Sequence, residues 1–304
     1  MQAVILDVGS PVACHPLTCT RPLAAIPVAN QPLAVAQHAA LAHAGFVPAA
    51  RPAPGRSLYL CGDAWVSAGA LGLLLAVRDN VVLRDAEGEP LAWVGTAPAP
   101  APDARPLPAD AVSFRLRYPW DLLRLNEVLL AGLTSHIEGD LSPQATVAGC
   151  LLLGPGSCVL PGAYIEGQVL IGANCKVGPN CYLRGATSIG DNCHVGQAVE
   201  IKNSIVMHDS SVAHLTYCGD SIIGAHANLG AGTITSNFRH DGRPHRSLVA
   251  GALVDTGRVK LGAILGDGVH TGIHTSIYPG RKLWPGVWTR PGAVVQHDLT
   301  APTL

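Results

Sequence analysis

The fold of this chain is decided by residues 153–207, which read LGPGSCVLPGAYIEGQVLIGANCKVGPNCYLRGATSIGDNCHVGQAVEIKNSIVM. An apolar residue returns at every sixth position of this stretch. The series consists of Leu153, Val159, Ile165, Ile171, Val177, Leu183, Ile189, Val195, Ile201 and Met207. Glycine, asparagine and aspartate fill the turn positions between these residues. The pattern predicts short parallel strands stacked as a β-helix, each pointing one apolar side chain into a shared interior.

The size of one coil and its handedness come from likeness to known hexapeptide-repeat proteins. In such proteins three hexads form one coil of about eighteen residues. Their crossovers are left-handed, although the general rule for parallel strand connections predicts the opposite hand. The resemblance therefore implies a left-handed parallel β-helix, which we expect to span residues 141–304.

Two places are predicted to interrupt the repeat. The first is residues 213–217, AHLTY, after which the aliphatic residues return out of phase at Ile223 and Leu229. The second is a polar loop from Thr235 to about Ser247, TSNFRHDGRPHRS. Loops inserted into a solenoid lie outside the stack and are free to form sites. We therefore expect function at these two interruptions.

Arg184 and Lys202 are separated by one coil of the expected length, so they are predicted to lie side by side on one edge. Two cations about 5 Å apart repel each other unless an anion lies between or beside them. A phosphate is the natural partner, and two solvated surface cations are the alternative. His214, at the first interruption, is a candidate general base because imidazole side chains commonly accept protons in catalysis, with a purely structural histidine as the alternative.

Composition limits the classes of partner. Charged residues make up 13% of the 304 residues and the formal net charge is −1, so no basic field favours nucleic acid or an anionic membrane. The opening MQAVILDVGS has the features of neither a signal peptide nor a spanning helix, so a cytoplasmic protein is expected. The nine cysteines are then expected to be reduced, and those in the repeat to pack inside it.

Specific motifs add a family resemblance. Residues 199–242, VEIKNSIVMHDSSVAHLTYCGDSIIGAHANLGAGTITSNFRHDG, resemble the acetyltransferase half of bifunctional sugar-1-phosphate nucleotidylyltransferase/glucosamine-1-phosphate N-acetyltransferases. Residues 254–280, VDTGRVKLGAILGDGVHTGIHTSIYPG, are similar to the archaeal-type branch. The resemblance implies a homotrimer with sites between subunits. It also implies N-acetylation of an amino-sugar 1-phosphate by acetyl-CoA, with glucosamine 1-phosphate expected and galactosamine 1-phosphate as the alternative.

The resemblance also implies roles for individual residues. His214 falls on the general base, and no covalent intermediate or metal is implied. The residues that fall on substrate-binding positions, or in the loop beside them, are Arg184, Lys202, Tyr217, Asn228, Asn237 and Arg243. The candidates for binding acetyl-CoA are Ala231, Arg258, Lys260, Arg281 and Arg290. Phe238 stands where bacterial members have tyrosine, which leaves the choice of amino sugar open.

The N-terminal part resembles the first strand, phosphate loop and helix of sugar nucleotidyltransferases, an α/β, Rossmann-like fold. Its scaffold residues persist, but Pro11 replaces a loop glycine, Ala13 the loop arginine and Leu23 the lysine. Proline offers no backbone N–H to a phosphate. We therefore expect residues 1–117 to form a truncated, catalytically silent domain, and 118–140 to form a connecting helix and linker. Asp63 would bind Mg²⁺ only if this domain were active.

Three rival interpretations stay open at this point. A metal-dependent lyase of the γ-carbonic anhydrase type shares the β-helix, and His240 and His245 have a spacing suited to two ligands. A non-catalytic regulatory or scaffold protein is the second, since the N-terminal half is degenerate. The third is a bifunctional enzyme that also makes the nucleotide sugar, against which Pro11, Ala13 and Leu23 argue.

Overall fold

The computed structural model describes residues 1–52 and 54–301. These residues form two compact units. The N-terminal unit consists of residues 1–11, 22–26 and 31–117, and the β-helix unit consists of residues 12–21, 27–30 and the chain from Tyr118 onward. Two short segments of the N-terminal region, 12–21 and 27–30, therefore belong to the β-helix unit.

The N-terminal region contains a mixed sheet with two helices. The strands and α-helices up to Leu130 are β1 Gln2–Leu6, β2 Pro27–Val28, β3 Gln31–Pro32, α1 Leu33–His43, β4 Val47–Pro48, β5 Ser57–Cys61, β6 Ala64–Trp65, α2 Ala68–Ala76, β7 Val81–Arg84, β8 Pro90–Gly95, β9 Arg105–Pro108, β10 Phe114–Arg115 and α3 Pro119–Leu130. The sheet order is β4-β1-β5-β8-β7-β9, with β8 antiparallel to both its neighbours. The expected α/β fold of this region is confirmed.

The β-helix is built from strands that are mostly two to four residues long. They are β11 His136–Ile137, β12 Asp140–Leu141, β13 Thr146–Leu153, β14 Cys158–Val159, β15 Tyr164–Ile171, β16 Lys176–Val177, β17 Tyr182–Ile189, β18 His194–Gln197, β19 Glu200–Lys202, β20 Ile205–Val206, β21 Ser211–His214, β22 Tyr217–Gly219, β23 Ile222–Ile223, β24 Asn228–Leu229, β25 Ile234–Thr235, β26 Arg246–Val249, β27 Ala252–Asp255, β28 Ile264–Leu265, β29 His270–Thr271, β30 Ser276–Ile277, β31 Lys282–Leu283 and β32 Val294–Val295. All of them pair in parallel except β26 and β27.

Successive coils stack in the register that the hexads predict. Thr146 pairs with Tyr164 and Tyr164 with Tyr182, which are steps of eighteen residues. The predicted inward residues from Leu153 to Ile201 are buried in one continuous core, and Cys175, Cys181 and Cys193 lie in it. The parallel β-helix is therefore confirmed. Burying a full column of branched side chains supplies its main stabilisation.

The predicted interruption at residues 213–217 is wrong. Val212 pairs with Val195 on one side and with Leu229 on the other, so this segment is part of the regular stack. The change of phase arises because two coils are one residue shorter, as shown by the pairings of Glu200 with Tyr217 and of Tyr217 with Ile234, both seventeen residues apart. The inward position predicted for Met207 is consequently taken by Val206. A residue omitted at a corner shifts the hexad phase without opening the coil.

The corners of the coil require left-handed backbone. At one corner Asn174, Asn192, Asp209 and His226 occupy equivalent positions, with φ between +55° and +58°. Each donates its backbone N–H to a carbonyl of the coil before it. Asparagine and aspartate tolerate this conformation better than most residues other than glycine, which explains the turn residues seen in the repeat.

The polar loop is longer than predicted and has structure of its own. Ile234 pairs with Ser276, 42 residues later, although neighbouring steps are seventeen or eighteen residues. The extra residues leave the stack after β25, form the antiparallel hairpin β26–β27 and rejoin at β28. The excursion therefore continues well past Ser247, where the loop was expected to end.

Helix α3 forms within residues 118–140, where a connecting helix was expected. Its Asn126 donates to the backbone oxygen of Ala186 (2.9 Å) and accepts from the hydroxyl of Ser188 (3.0 Å). The helix therefore lies against β17, the last of the three eight-residue strands β13, β15 and β17.

Among residues 1–52 and 54–301, no helix is long and apolar enough to cross a membrane.

Candidate active site

A cluster of polar side chains lies on the thirteen-stranded sheet of the β-helix. Arg184 on β17 and Lys202 on β19 are direct neighbours in the register. Each has a carboxylate partner from this chain: Arg184 Nη2 is 2.7 Å from Glu200 Oε1, and Lys202 Nζ is 2.9 Å from Asp220 Oδ2. The two cations therefore lie side by side, and carboxylates rather than an external anion balance part of their charge.

Asp220 is the centre of this cluster. Its side chain is only 3% exposed. Besides the lysine, Asn237 Nδ2 donates to its Oδ2 (2.6 Å) and Asn203 Nδ2 donates to its Oδ1 (3.0 Å). The residue also turns a corner of the coil with φ of +49°. One aspartate thus closes the turn and fixes Lys202 and Asn237, because a buried carboxylate needs such donors.

Tyr217 and Asn237 form the second part of the cluster. Asn237 Nδ2 also donates to the Tyr217 hydroxyl oxygen (3.0 Å). Burial raises the pKa of the Tyr217 hydroxyl, and the carboxylates of Asp220 and Glu200 raise it further. The hydroxyl therefore stays protonated near neutral pH and has its hydrogen available for a ligand. The backbone of Asn237 is fixed as well, since its carbonyl oxygen lies 3.0 Å from the buried ring nitrogen Nε2 of His245.

Gly219 makes the contact between these side chains possible. It continues the Arg184–Lys202 register by one more coil. A Cβ added at Gly219 would lie 2.7 Å from Asn237 Nδ2 and closer still to the Tyr217 hydroxyl. Glycine leaves the space in which the tyrosine and the asparagine meet.

His214 and Asn228 lie elsewhere on the coil. His214 ends β21 in the seven-stranded sheet, is exposed, and is followed by Leu215 in the left-handed region with φ of +50°. Asn228 is also exposed on that sheet, between Ser211 and His270 in the register. The predicted residues therefore occupy two faces of the β-helix, with His214 at the corner that leads to Tyr217.

The basic residues expected to bind acetyl-CoA are in different situations. Arg258 Nη2 is 2.6 Å from Glu127 Oε1 on α3, and this carboxylate also accepts from Asn203. Arg258 is therefore linked to the Asp220 cluster through Glu127 and Asn203. Lys260 Nζ is 3.7 Å from the centre of the Phe238 ring, a cation–π contact that fixes the aromatic residue.

The remaining predicted residues lie in turns and on the inserted loop. Arg281 Nε donates to the carbonyl oxygen of Pro279 (3.2 Å). Arg290 and Arg243 are exposed, and Ala231 lies in the turn after β24, where its carbonyl accepts from the His274 backbone.

A cleft of about 640 Å³ lies next to the cluster, beside Tyr217 and Asn237. Its lining includes Ile234, which follows Tyr217 in the register, and Phe238, which follows Asn237 in the chain. The other lining residues are Ser236, Arg239, His240, Asp241, Ser276, Ile277, Tyr278 and Pro279. The volume is in the range of small-molecule sites, and the lining mixes apolar and polar groups as such sites do. Sequence reasoning did not predict this cleft, since the period of the repeat says nothing about how the inserted loop folds back.

Asp63 is not placed to hold Mg²⁺. Its Oδ2 is 2.9 Å from Arg115 Nη2, and burial raises the pKa of the carboxyl group. Within the described part of the chain, Asp63 belongs to no group of three side chains able to ligate a metal. A lone carboxylate already paired with arginine does not fit an ion that needs several oxygen ligands.

The segment that would form a phosphate loop is held by the β-helix unit. Thr20 Oγ1 donates to Asp267 Oδ2 (2.6 Å), and Arg21 forms an ion pair with the same carboxylate. Both residues lie in the 12–21 segment of that unit. Residues that follow the predicted phosphate loop are thus bound to Asp267 of the β-helix.

Comparison with known proteins agrees with the fold and with the motifs. Residues 165–280 match the family described as the GMPPB C-terminal domain. The bifunctional protein GlmU of Methanocaldococcus jannaschii is 36% identical over 186 residues, which cover 61% of this chain and 45% of the relative. GlmU of Methanococcus maripaludis strain C7 is 47% identical over 182 residues, covering 60% of this chain and 44% of the relative.

Two further matches are more limited. The bifunctional sugar-1-phosphate nucleotidylyltransferase/acetyltransferase of Sulfurisphaera tokodaii is 43% identical over 102 residues, covering 34% of this chain and 25% of the relative. The crystal structure of AntD, an N-acyltransferase from Bacillus cereus, covers 58% of this chain and 79% of its own at 16% identity and a TM-score of 0.24. A likeness with so low a TM-score does not identify equivalent residues in the two structures. The chain spans less than half the length of the curated relatives it matches. The C-terminal half of the chain is therefore related to the bifunctional sugar-1-phosphate nucleotidylyltransferase/acetyltransferase proteins.

Proposed function

We propose that the chain transfers the acetyl group of acetyl-CoA to the nitrogen of an amino-sugar 1-phosphate, in the synthesis of nucleotide-sugar precursors of the cell envelope. Glucosamine 1-phosphate is the proposed substrate, with galactosamine 1-phosphate as the alternative. The observation that carries the proposal is the cluster around Asp220. It holds Lys202 and Asn237 beside Arg184 and Tyr217, at the mouth of a cleft.

The cluster has the groups that a sugar phosphate needs. The hydrogen bonds of Arg184 to Glu200 use Nε and Nη2, and a guanidinium has further donors. Lys202 donates one of its three N–H groups to Asp220. A phosphate entering here therefore joins two cations whose positions are already fixed. The Tyr217 hydroxyl and the Asn237 amide suit the hydroxyl groups of the sugar ring.

The proposed reaction is a direct attack with no enzyme-bound intermediate. The amine nitrogen forms a bond to the thioester carbon, and the bond from that carbon to sulfur breaks. His214 takes the proton that the nitrogen loses and passes it to the departing sulfur, so CoA leaves as a thiol. A backbone N–H group is proposed to stabilise the developing oxyanion. The cleft beside Phe238 and Tyr278 is proposed for the acetyl donor, with Lys260 and Arg281 near its rim.

The site is proposed to be shared between chains of a homotrimer. His214 and Asn228 lie on or beside the seven-stranded sheet, whereas Lys202, Tyr217 and Asn237 belong to the other face. Outward-facing side chains on two faces of one coil point away from each other. A neighbouring copy is needed to bring both groups to one substrate.

Residues 1–117 are proposed to lack nucleotidyltransferase activity. Pro11 and Ala13 replace residues that would contact phosphate, Asp63 is paired with Arg115, and Arg21 is paired with Asp267. Pro11 and Ala13 lack the groups that would bind a triphosphate. The side chains of Asp63 and Arg21 already form ion pairs within this chain. This part of the proposal separates the chain from a fully bifunctional enzyme.

The test is a free-thiol assay of the full-length chain with acetyl-CoA and either glucosamine 1-phosphate, galactosamine 1-phosphate or the unphosphorylated amino sugars. Release of CoA is expected with one of the phosphorylated sugars and is expected to be much weaker without the phosphate. A parallel incubation of each N-acetylated sugar 1-phosphate with nucleoside triphosphates is expected to release no pyrophosphate. Absence of CoA release with every amino sugar would refute the acetyltransferase assignment, and robust pyrophosphate release would refute the silent N-terminal unit.

Replacing Gly219 by alanine is expected to lower kcat/KM for the sugar phosphate by about tenfold, as the loss of one hydrogen bond of roughly 1.5 kcal/mol would do. The new methyl group displaces the Tyr217 hydroxyl and the Asn237 amide from their contact. The matched control is Gly132→Ala, where an added Cβ meets nothing within 4 Å. Equal kinetics for the two variants would show that the Tyr217–Asn237 contact does not bind the sugar.

A further inference from the structure

A second group of polar side chains lies at a corner of the β-helix away from the Asp220 cluster. His208 and Asp209 occupy this corner in one coil, and His226 occupies it in the next. His208 Nδ1 is 2.7 Å from Asp209 Oδ2, and His226 Nδ1 is 3.9 Å from the same oxygen. The two imidazole rings meet edge to face with their centres 5.2 Å apart. Two imidazoles and one carboxylate thus converge on one point in space.

We propose that His208, Asp209 and His226 form a binding site for one divalent transition-metal cation, and that Zn²⁺ fits it best. Each side chain can offer one ligand atom, with all three atoms within 4.8 Å of one another. Tetrahedral zinc at about 2.0–2.1 Å from nitrogen or oxygen ligands holds them roughly 3.3 Å apart. The two histidine–aspartate spacings of 2.7 and 3.9 Å lie on either side of that value, so the proposed site requires the side chains to adjust when the metal binds.

The carboxylate is already oriented by a second layer of side chains. Asn192 Nδ2 donates to Asp209 Oδ1 (3.0 Å), and Asn174 Nδ2 donates to Asn192 Oδ1 (3.3 Å). These bonds occupy one oxygen of the aspartate and leave Oδ2 facing the histidines. Outer groups of this kind commonly fix the ligands of metal sites.

The backbone conformation of this corner does not require histidine. The same corner is turned by Asn174 and Asn192 in earlier coils and by Gly268 in a later one, so an imidazole is not required for the left-handed backbone. Imidazole and carboxylate together suit zinc and its neighbours, whereas calcium and magnesium prefer sites made of oxygen alone. The three ligands are part-exposed, which leaves a coordination position for water.

A cation at this place would join two coils. Two of its ligands belong to the coil that contains His208, and the third belongs to the coil that contains His226. Since a ligand that binds only the folded state raises stability, the metal should raise the unfolding temperature of the chain. The proposal does not depend on the acetyltransferase activity.

The experiment uses the full-length chain without a histidine tag, stripped of metal by a chelator. Zn²⁺ is titrated in competition with a chromophoric chelator, and Co²⁺ is titrated with the visible d–d bands as readout. One equivalent is expected to bind. Asp209→Asn and His226→Asn are each expected to lower the affinity by at least about tenfold, since even groups that only orient a ligand cost 10- to 100-fold. Both variants introduce a residue that already turns this corner in neighbouring coils.

The matched control is His274→Asn, since His274 is also a histidine with left-handed backbone (φ of +57°) but turns a different corner. It should bind Zn²⁺ like the wild type and show the same metal-dependent rise in unfolding temperature. Circular dichroism of each metal-free variant establishes that it is folded. The proposal is overturned if the wild type binds no stoichiometric metal, or if Asp209→Asn and His226→Asn bind it as tightly as His274→Asn does.

Discussion

Replacing His214 by alanine is expected to lower kcat for CoA release by about 100- to 10,000-fold, the usual contribution of a general base. The imidazole is exposed at the end of β21, so its removal leaves no cavity and no buried polar group without a partner. The KM for the sugar phosphate should change little, because the groups proposed to bind it lie around Asp220. The measurement is a steady-state free-thiol assay over a range of substrate concentrations.

His136→Ala is the matched control for this variant. His136 is 70% exposed on β11, in the first coil, and lies outside the cluster and the cleft. Its kcat and KM should equal those of the wild type. If His214→Ala also keeps the wild-type kcat, another group removes the proton from the amine and the proposed mechanism fails. If only KM changes, the histidine binds the sugar and does not act as the base.

Replacing Asp220 by asparagine is expected to lower the free energy of unfolding by about 3 kcal/mol. Breaking a buried ion pair costs roughly 3–5 kcal/mol, and the lower end applies since the Lys202 side chain is 23% exposed and can regain water. Asparagine tolerates the left-handed corner, so the loss comes from the side chain and not from the turn. The new amide also brings a donor to a place where Lys202, Asn203 and Asn237 already donate. Urea denaturation measures the effect. The slope of the unfolding free energy against urea concentration should stay unchanged.

The control for Asp220 is Asp241→Asn, which removes an exposed carboxylate paired with Arg239. Exposed pairs contribute little, so its unfolding curve should match that of the wild type. A kinetic measurement adds a second readout: Asp220→Asn should raise KM for the sugar phosphate more than it lowers kcat. Wild-type stability and KM in Asp220→Asn would mean that the carboxylate does not hold Lys202 and Asn237 in place.

The regular part of the fold was open to prediction because its signal is repeated. Each coil has the same steric requirement, an inward apolar residue and a left-handed corner, so the nine positions from Leu153 to Ile201 all report on one structure. Arg184 and Lys202 could be paired from their separation alone, and the register agrees. The change of phase around HLTY predicts an interruption where the structure has a shortened coil, because a period of six cannot distinguish a loop from a coil that lacks one residue.

The irregular parts depend on contacts that no period reveals. Asp220 was missed because it stands at a corner, where aspartate reads as an ordinary turn residue. The available signal was its place seventeen residues after Asn203, another left-handed corner residue. Residues 12–21 belong to the β-helix unit and contact Asp267, nearly 250 positions away, which could not be predicted from either segment by itself.

The position of the inserted loop has a consequence for how such a chain can change over time. Ile234 and Ser276 pair directly although 42 residues separate them, so the strands on both sides keep their places whatever the length of the excursion. Insertions, deletions or exchanges between β25 and β28 can then change the shape of the cleft. Lys202, Asp220 and Tyr217 keep their positions, because they belong to coils that precede β25 in the chain. Selection for a new acceptor or donor can act on one loop without endangering the folding of the scaffold.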